Sequence, residues 1–266
     1  MSRPNLQRVA ALIEEVAATE IMPRFGLVQA KEKTGPHDLV TEADEAAERA
    51  LGPRLRELAP GALVGEEAAA ADPTLLGALE RHGAAWLIDP VDGTLNFAAG
   101  LPLFGVMVAY VVNGDAVASW IHDPVRGITA IAERGGGAWI GSRRLAVSVP
   151  DSLAHMTGSP ALRFGNREDA ARIARRLDRV LPILSLRCSA QEYLALSEGR
   201  THFVFYSRTY PWDHAPGCLI AAEAGATVRR LDGTPYRASD EVWRSPLLVT
   251  ASEESWGWVK TGLIDP

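Results

Sequence analysis

The stretch from Trp86 to Phe97 reads WLIDPVDGTLNF, and it constrains the fold more than any other part of the chain. Together with Ala84 and Ala85, its first residues form an apolar run the length of a short buried strand. The run stops at Asp89, turns through Pro90 and Asp92-Gly93, and leads into a segment expected to be helical from Thr94. Two carboxylates three residues apart at one strand end repel each other, and they suit a hard, oxygen-seeking cation such as magnesium. Gly93 lets the backbone approach a ligand closely, and the amides of Gly93 and Thr94 at a helix start suit a phosphate. Alone, Asp-Gly-Thr is equally an ordinary turn with an N-cap.

Two further acidic motifs bear on the same end of the fold. Gly65-Glu66-Glu67 closes a short strand over Ala62 to Gly65. Paired acids at a strand end are usually solvated, but parallel strands of an α/β sheet deliver their C-terminal ends to one crevice, where Glu66 could meet Asp89. Asp213, in Pro211-Trp212-Asp213-His214, opens a helix. It reads either as that helix's N-cap or as the third member of an acidic constellation.

Around these motifs the pattern is mixed. A helix is expected over Asn5 to Ile21, ended by Pro23 and Gly26, and Leu39-Val40 is extended. Thr41 and Asp44 form a capping box, with Asp where Glu is usual, opening a helix to about Leu58. Another helix is expected near Thr74 to His82. Residues Leu103 to Ile140 look like an antiparallel meander with a turn at Asn113-Gly114. Helices over Arg167 to Val180, Ala190 to Ser197 and Trp212 to Ala224 then alternate with strands near Ile183 to Leu186, His202 to Phe205, Thr227 to Leu231 and Leu247 to Thr250. With no linker or repeat between them, the expectation is one domain over 1–266, an antiparallel-sheet half to about 145 and an α/β half from about 146.

Charge narrows the function. Twenty-seven Lys and Arg against 33 Asp and Glu give a net charge of −6, which argues against a nucleic-acid partner. An anionic substrate then needs local positive charge, which bound divalent cations supply. Cys188 and Cys218 are too few for a disulfide framework and lack zinc spacing, and Glu14 with Glu15 interrupts any signal-like apolar core, so a cytoplasmic protein is expected. The longest apolar run, Leu101 to Val112, carries Pro102 and Gly105 and falls short of the roughly 20 residues a bilayer needs, so no membrane partner is expected. None of His37, His82, His122, His155, His202 and His214 shows metal-ligand spacing.

Four motifs occur in order: Asp38-Leu-Val-Thr-Glu-Ala-Asp44, Gly65-Glu66-Glu67, Trp86 to Phe97, and Trp212-Asp213-His214-Ala215-Pro216-Gly217. In this they resemble the inositol monophosphatase family of metal-dependent sugar phosphatases, and the similarity spans nearly the whole chain. The resemblance implies a mixed α/β fold, a layered αβαβα sandwich of the sugar phosphatase type. It also implies a magnesium-dependent, lithium-sensitive phosphomonoesterase, homodimeric, acting on a small phosphorylated substrate. Glu66, Asp89, Asp92, Asp213 and the carbonyl of Val91 would bind two to three magnesium ions. Glu66, Thr94 and Asp92 would form the catalytic set, Glu66 and Thr94 orienting the attacking water, with no covalent phosphoenzyme. Gly93, Thr94, Ser189, Ala190, Tyr206 and Asp213 would contact the substrate. Lys31 matches the family's lysine near the phosphate, although Lys31-Glu32-Lys33 also reads as surface charge.

Departures fall on the substrate side. Where the family has Gly-Ser/Thr-Ala, this chain has Cys188-Ser189-Ala190, and six residues before Trp212 it has Tyr206 in place of a glutamate that bonds ring hydroxyls. Tyrosine would suit a flatter or less hydroxylated leaving group, and Arg208 either assists an acidic substrate or is a loop arginine. Histidinol phosphate, fructose bisphosphate and a 3′-phosphonucleotide therefore stand beside inositol monophosphate. A regulatory protein-binding module with residual phosphatase activity is the reading from another class.

Overall fold

The computed structural model describes residues 3–27, 31–35, 38–80, 83–161, 167–181, 185–242 and 245–265. Apolar residues every three or four positions give α1 (Leu6–Val16) a buried face of Val9, Leu12, Ile13 and Val16, and Asn5 caps it by accepting from Arg8 N. The helix widens into a π-type turn through Ile21. A hairpin of β1 (Lys31–Gly35) and β2 (Asp38–Val40) precedes α2 (Glu42–Leu58). The expected capping box is present: Thr41 Oγ1 accepts from Ala43 N, and Asp44 accepts from the Thr41 amide at 2.8 Å. β3 (Ala62–Gly65), α3 (Glu66–Ala71), β4 (Ala84–Asp92) and α4 (Thr94–Ala98) carry the acidic motifs. Between α3 and β4 the expected helix is only a 3-10 segment, Pro73–Ala78, because Pro73 and Gly77 leave too few helix-forming residues; His82 lies outside the described residues.

The meander follows as β5 (Gly105–Val112), β6 (Asp115–Asp123), β7 (Ile128–Glu133), β8 (Gly137–Ile140) and β9 (Arg143–Arg144). Asn113 and Gly114 turn it with φ of 54° and 82°, as a two-residue hairpin requires. Strands β3 to β9 form one seven-stranded sheet in sequence order, in which only the β3–β4 pair is parallel. The remainder runs β10 (Gly158–Ala161), α5 (Arg167–Ala174), α6 (Ser189–Ser197), β11 (Phe203–Tyr206), α7 (Pro211–Glu223), β12 (Thr227–Arg230), β13 (Leu247–Thr250) and α8 (Glu253–Val259). Its four strands form a second sheet, ordered β10-β11-β13-β12. The helix expected to reach Val180 stops at Ala174 and is followed by a single 3-10 turn. Of the strand expected near 183–186, Ile183 and Leu184 lie outside the described residues, and Ser185 and Leu186 are irregular.

Alternation along the strands builds the layers. Trp86 and Ile88 pack with Ile13, Leu51 and Leu55 under α1 and α2, whereas Leu87 joins Met107, Leu194 and Leu219 towards α6 and α7. In the second sheet Val204 faces that same helical layer, and Phe203 and Phe205 pack outward with Ile173 and Val259 of α5 and α8. The result is the αβαβα sandwich. Among the described residues no helix is long and apolar enough to cross a membrane.

Candidate active site

Strand register brings the acids together. β3 and β4 run parallel with Gly65 level with Ile88, so the next residues, Glu66 at the start of α3 and Asp89 still within β4, fall side by side. Asp89 and Asp92, three apart, would point to opposite faces of a regular strand. Here Asp89 is level with Met107 and Asp92 with Gly105, which sets Pro90 and Val91 opposite Val106 alone. This bulge shifts the alternation by one residue and returns Asp92 to the face of Asp89. Asp213 arrives from the middle helical layer as the third residue of α7. The N-cap there is Tyr210, with no side-chain cap, so the capping role open to Asp213 in the sequence is not the one it takes. Glu66, Asp89 and Asp213 each offer an oxygen within 4.8 Å of the others.

The electrostatics of this gathering are unfavourable on their own. Burial, then the charges of Glu66, Asp92, Asp213 and Asp44, push the Asp89 carboxyl well above the usual carboxylate range. Asp213 is raised by burial, then Glu66 and Asp92, with Arg208 opposing. Burial lifts Asp92 to about 6, although Cys188 Sγ at 2.9 Å and Ala190 N at 2.5 Å both donate to its Oδ2. Among the described residues, Asp89 Oδ1 is buried without a hydrogen-bond partner. Crowded oxygen donors, an orphaned carboxylate oxygen and uncompensated negative charge are what a hard divalent cation would satisfy.

Beside the acids stands Thr94. Its Oγ1 lies 3.1 Å from the Val91 carbonyl and 3.4 Å from Asp44 Oδ1, so its one proton has two acceptors. The other Asp44 oxygen accepts from Thr41 N and from Thr41 Oγ1 at 2.6 Å. Asp44 therefore does more than cap α2, a role the sequence hinted at only through aspartate replacing the usual glutamate. Gly93 has φ of 88°, and a Cβ there would come within 2.9 Å of the Leu103 carbonyl, so the turn admits only glycine.

The expected substrate contacts divide. Ala190 touches the acids through its amide, and Ser189, whose Oγ lies 3.5 Å from Met107 Sδ, also acts on Asp92 through its hydroxyl. Tyr206 is buried, and its hydroxyl donates to Glu192 Oε2 at 2.7 Å. Ser159 Oγ and Leu186 N donate to the other Glu192 oxygen. A carboxylate thus lies under the position where the family's glutamate is missing, and it comes from α6. His214 Nε2 faces the Arg208 carbonyl at 3.1 Å and must carry the proton there, leaving Nδ1 to accept from Tyr193. Burial drops this ring to about 3, so it is neutral. Arg208 stacks its guanidinium over Tyr210 at 4.6 Å. Lys31 is exposed on β1, paired with Val40 in the hairpin. His37, like His82, lies outside the described residues.

Comparison with known proteins places nearly the whole chain in one family. A model of the inositol monophosphatase family matches residues 5–259. A fructose-1,6-bisphosphatase/inositol-1-monophosphatase of Thermotoga maritima is 34% identical over 222 residues, 82% of each chain. An inositol-1-monophosphatase of Rhizobium meliloti is 30% identical over 263 residues, 96% of this chain and 97% of its own. The structure of Thermotoga maritima IMPase matches 96% of both chains with a TM-score of 0.80 and 30% identity. Matched from end to end in sequence and in fold, this chain belongs to the inositol monophosphatase family, metal-dependent phosphoric monoester hydrolases that act on small phosphorylated substrates.

Proposed function

We propose that Glu66, Asp89, Asp92, Asp213 and the Val91 carbonyl hold two to three magnesium ions, and that the enzyme hydrolyses an inositol monophosphate-like ester. The observation that carries this reading is the buried, unpartnered Oδ1 of Asp89 among three other carboxylates, an arrangement that costs free energy until cations fill it. Bound divalent ions supply Lewis-acid activation of the nucleophilic water and of the phosphoryl and leaving oxygens. The protein's own groups do the rest. Glu66, at the half-open end of the cluster, and Thr94 orient the water. When Thr94 donates its proton to Asp44, its lone pairs are left to receive a proton from the water. The amides of Gly93 and Thr94, with Lys31 approaching from β1, bind the phosphate oxygens, and Ala190 and Asp213 face the alcohol. Water oxygen bonds to phosphorus as the ester P–O bond breaks, and the alcohol leaves with a proton. Cys188 is no nucleophile, since burial pushes its thiol well up and it donates to Asp92.

The names of the relatives favour a phosphorylated polyol over the flatter esters. Lithium inhibition, a homodimer and a cytoplasmic setting belong to the same reading. The test is phosphate release from inositol monophosphate, fructose bisphosphate, histidinol phosphate and a 3′-phosphonucleotide, with magnesium, with chelator and with lithium. Turnover only with magnesium, fastest on inositol monophosphate and depressed by lithium, is expected. Equal turnover in chelator would end the metal reading, and a faster ester would replace the substrate.

A further inference from the structure

Glu66 begins α3, a helix of six residues whose N-cap, Gly65, has no side chain to hold it. So short a segment does not keep its own shape in water. What holds its first turn is Glu48, from α2: Oε2 accepts from Glu67 N and Oε1 from Ala68 N, each at 2.9 Å. Glu48 stands four residues beyond Asp44, on the same face of α2, so one stripe of that helix reaches both Thr94 and the turn that carries Glu66.

Gly65 supports the same picture. Its φ of −89° and ψ of 155° are open to any residue, so backbone conformation does not call for glycine here. A Cβ at Gly65 would instead collide with the carboxyl group of Glu48. The glycine of Gly65-Glu66-Glu67 leaves room for the carboxylate that clamps the two amides.

We propose that Glu48 is a positioning residue of the active site: it fixes the first turn of α3 and thereby the direction in which Glu66 presents its carboxylate to a metal ion. This rests on Glu66 being a metal ligand, as proposed above. The experiment is titration calorimetry of magnesium into metal-stripped protein, with circular dichroism confirming the fold of each variant. Glu48→Ala is expected to weaken magnesium binding about ten-fold, as loss of a group supporting a ligand does. Glu48→Gln, which keeps one acceptor, should weaken it roughly three-fold. Gly65→Ala should reproduce Glu48→Ala by displacing the carboxylate, and the double variant should be no weaker than either single one, because both act on one contact. Should Glu48→Ala fail to fold, Glu48→Gln and Gly65→Ala carry the test. Unchanged affinity in these variants, alongside loss of binding in Glu66→Gln, would overturn the role of Glu48 alone. Unchanged affinity in Glu66→Gln would remove the ligand reading and this inference with it.

Discussion

Two buried carboxylates in this chain meet opposite electrostatic surroundings. Glu198, at the end of α6, is 3% exposed and receives Arg126 at 3.1 Å, Arg143 at 2.6 Å and Arg200 at 3.1 Å. Burial works to raise its pKa, but the hydrogen bonds from Arg143 and Arg126 and the charges of Arg126 and Arg200 hold it below the usual carboxylate range. Asp89, 1% exposed, has carboxylates for neighbours and is driven up. Both carboxyl groups are withdrawn from solvent, Asp89 more completely, and the sign of the neighbours differs. At Glu198 the fold supplies its own counter-charge and joins the end of α6 to the β6–β7 turn and to β9. At Asp89 it supplies like charges instead, which fits the proposal that cations from solution complete the site.

Neutralising each carboxylate should therefore have opposite consequences. Asp89→Asn is expected to slow phosphate release by about a thousand-fold or more, the several kcal/mol that a metal contributes at the transition state. In chelator the same variant should unfold at a higher temperature than the parent, by about 1–2 kcal/mol, because one like charge is gone. A less stable metal-free variant would break the comparison. Glu198→Gln should cost about 1–2 kcal/mol, at the low end for a buried ionic contact because Arg143 and Arg200 are 55% and 64% exposed, with turnover per folded molecule unchanged. Since Glu198 is held low in the folded state, its contribution is full above the ordinary glutamate value of about 4.3 and disappears as pH falls through the lower folded value. Urea midpoints should show the parent losing more stability than Glu198→Gln across that acid range.

How far the site could be read in the sequence follows from the same physics. The apolar run to Asp89, the capping box at Thr41 and Asp44, and the Asn113-Gly114 turn are local patterns, and each forms, although the strand expected to stop at Asp89 runs on to Asp92. The meeting of Glu66 with Asp89 needed only parallel pairing of two neighbouring strands. The bulge at Pro90-Val91 was not readable, because it exists only relative to the register of β5. Nor was the position of Asp213 inside α7, since an N-cap and a third residue differ by where the chain enters the helix. Asp44 turning to Thr94, and Tyr206 turning to Glu192, are contacts across 50 and 14 residues, and side-chain direction at that separation is set by packing.

Glu192 lies between the two extremes, and it sharpens the comparison with a smaller effect. It is buried like Asp89 and Glu198, but its side-chain partners are the hydroxyls of Ser159 and Tyr206. Burial lifts it to about 7, and those two hydrogen bonds pull against the rise. A glutamate raised in the folded state adds stability that is full below its ordinary value of about 4.3 and is lost as pH climbs through about 7. Tyr206→Phe removes a donor to the ionised form, so its cost, about 1 kcal/mol, should grow across that climb when thermal unfolding is followed at fixed magnesium. KM should stay at the parent value, because the lost hydroxyl was committed to Glu192. A raised KM with unchanged stability would instead put that hydroxyl on the substrate and make Tyr206 the direct replacement for the family's glutamate.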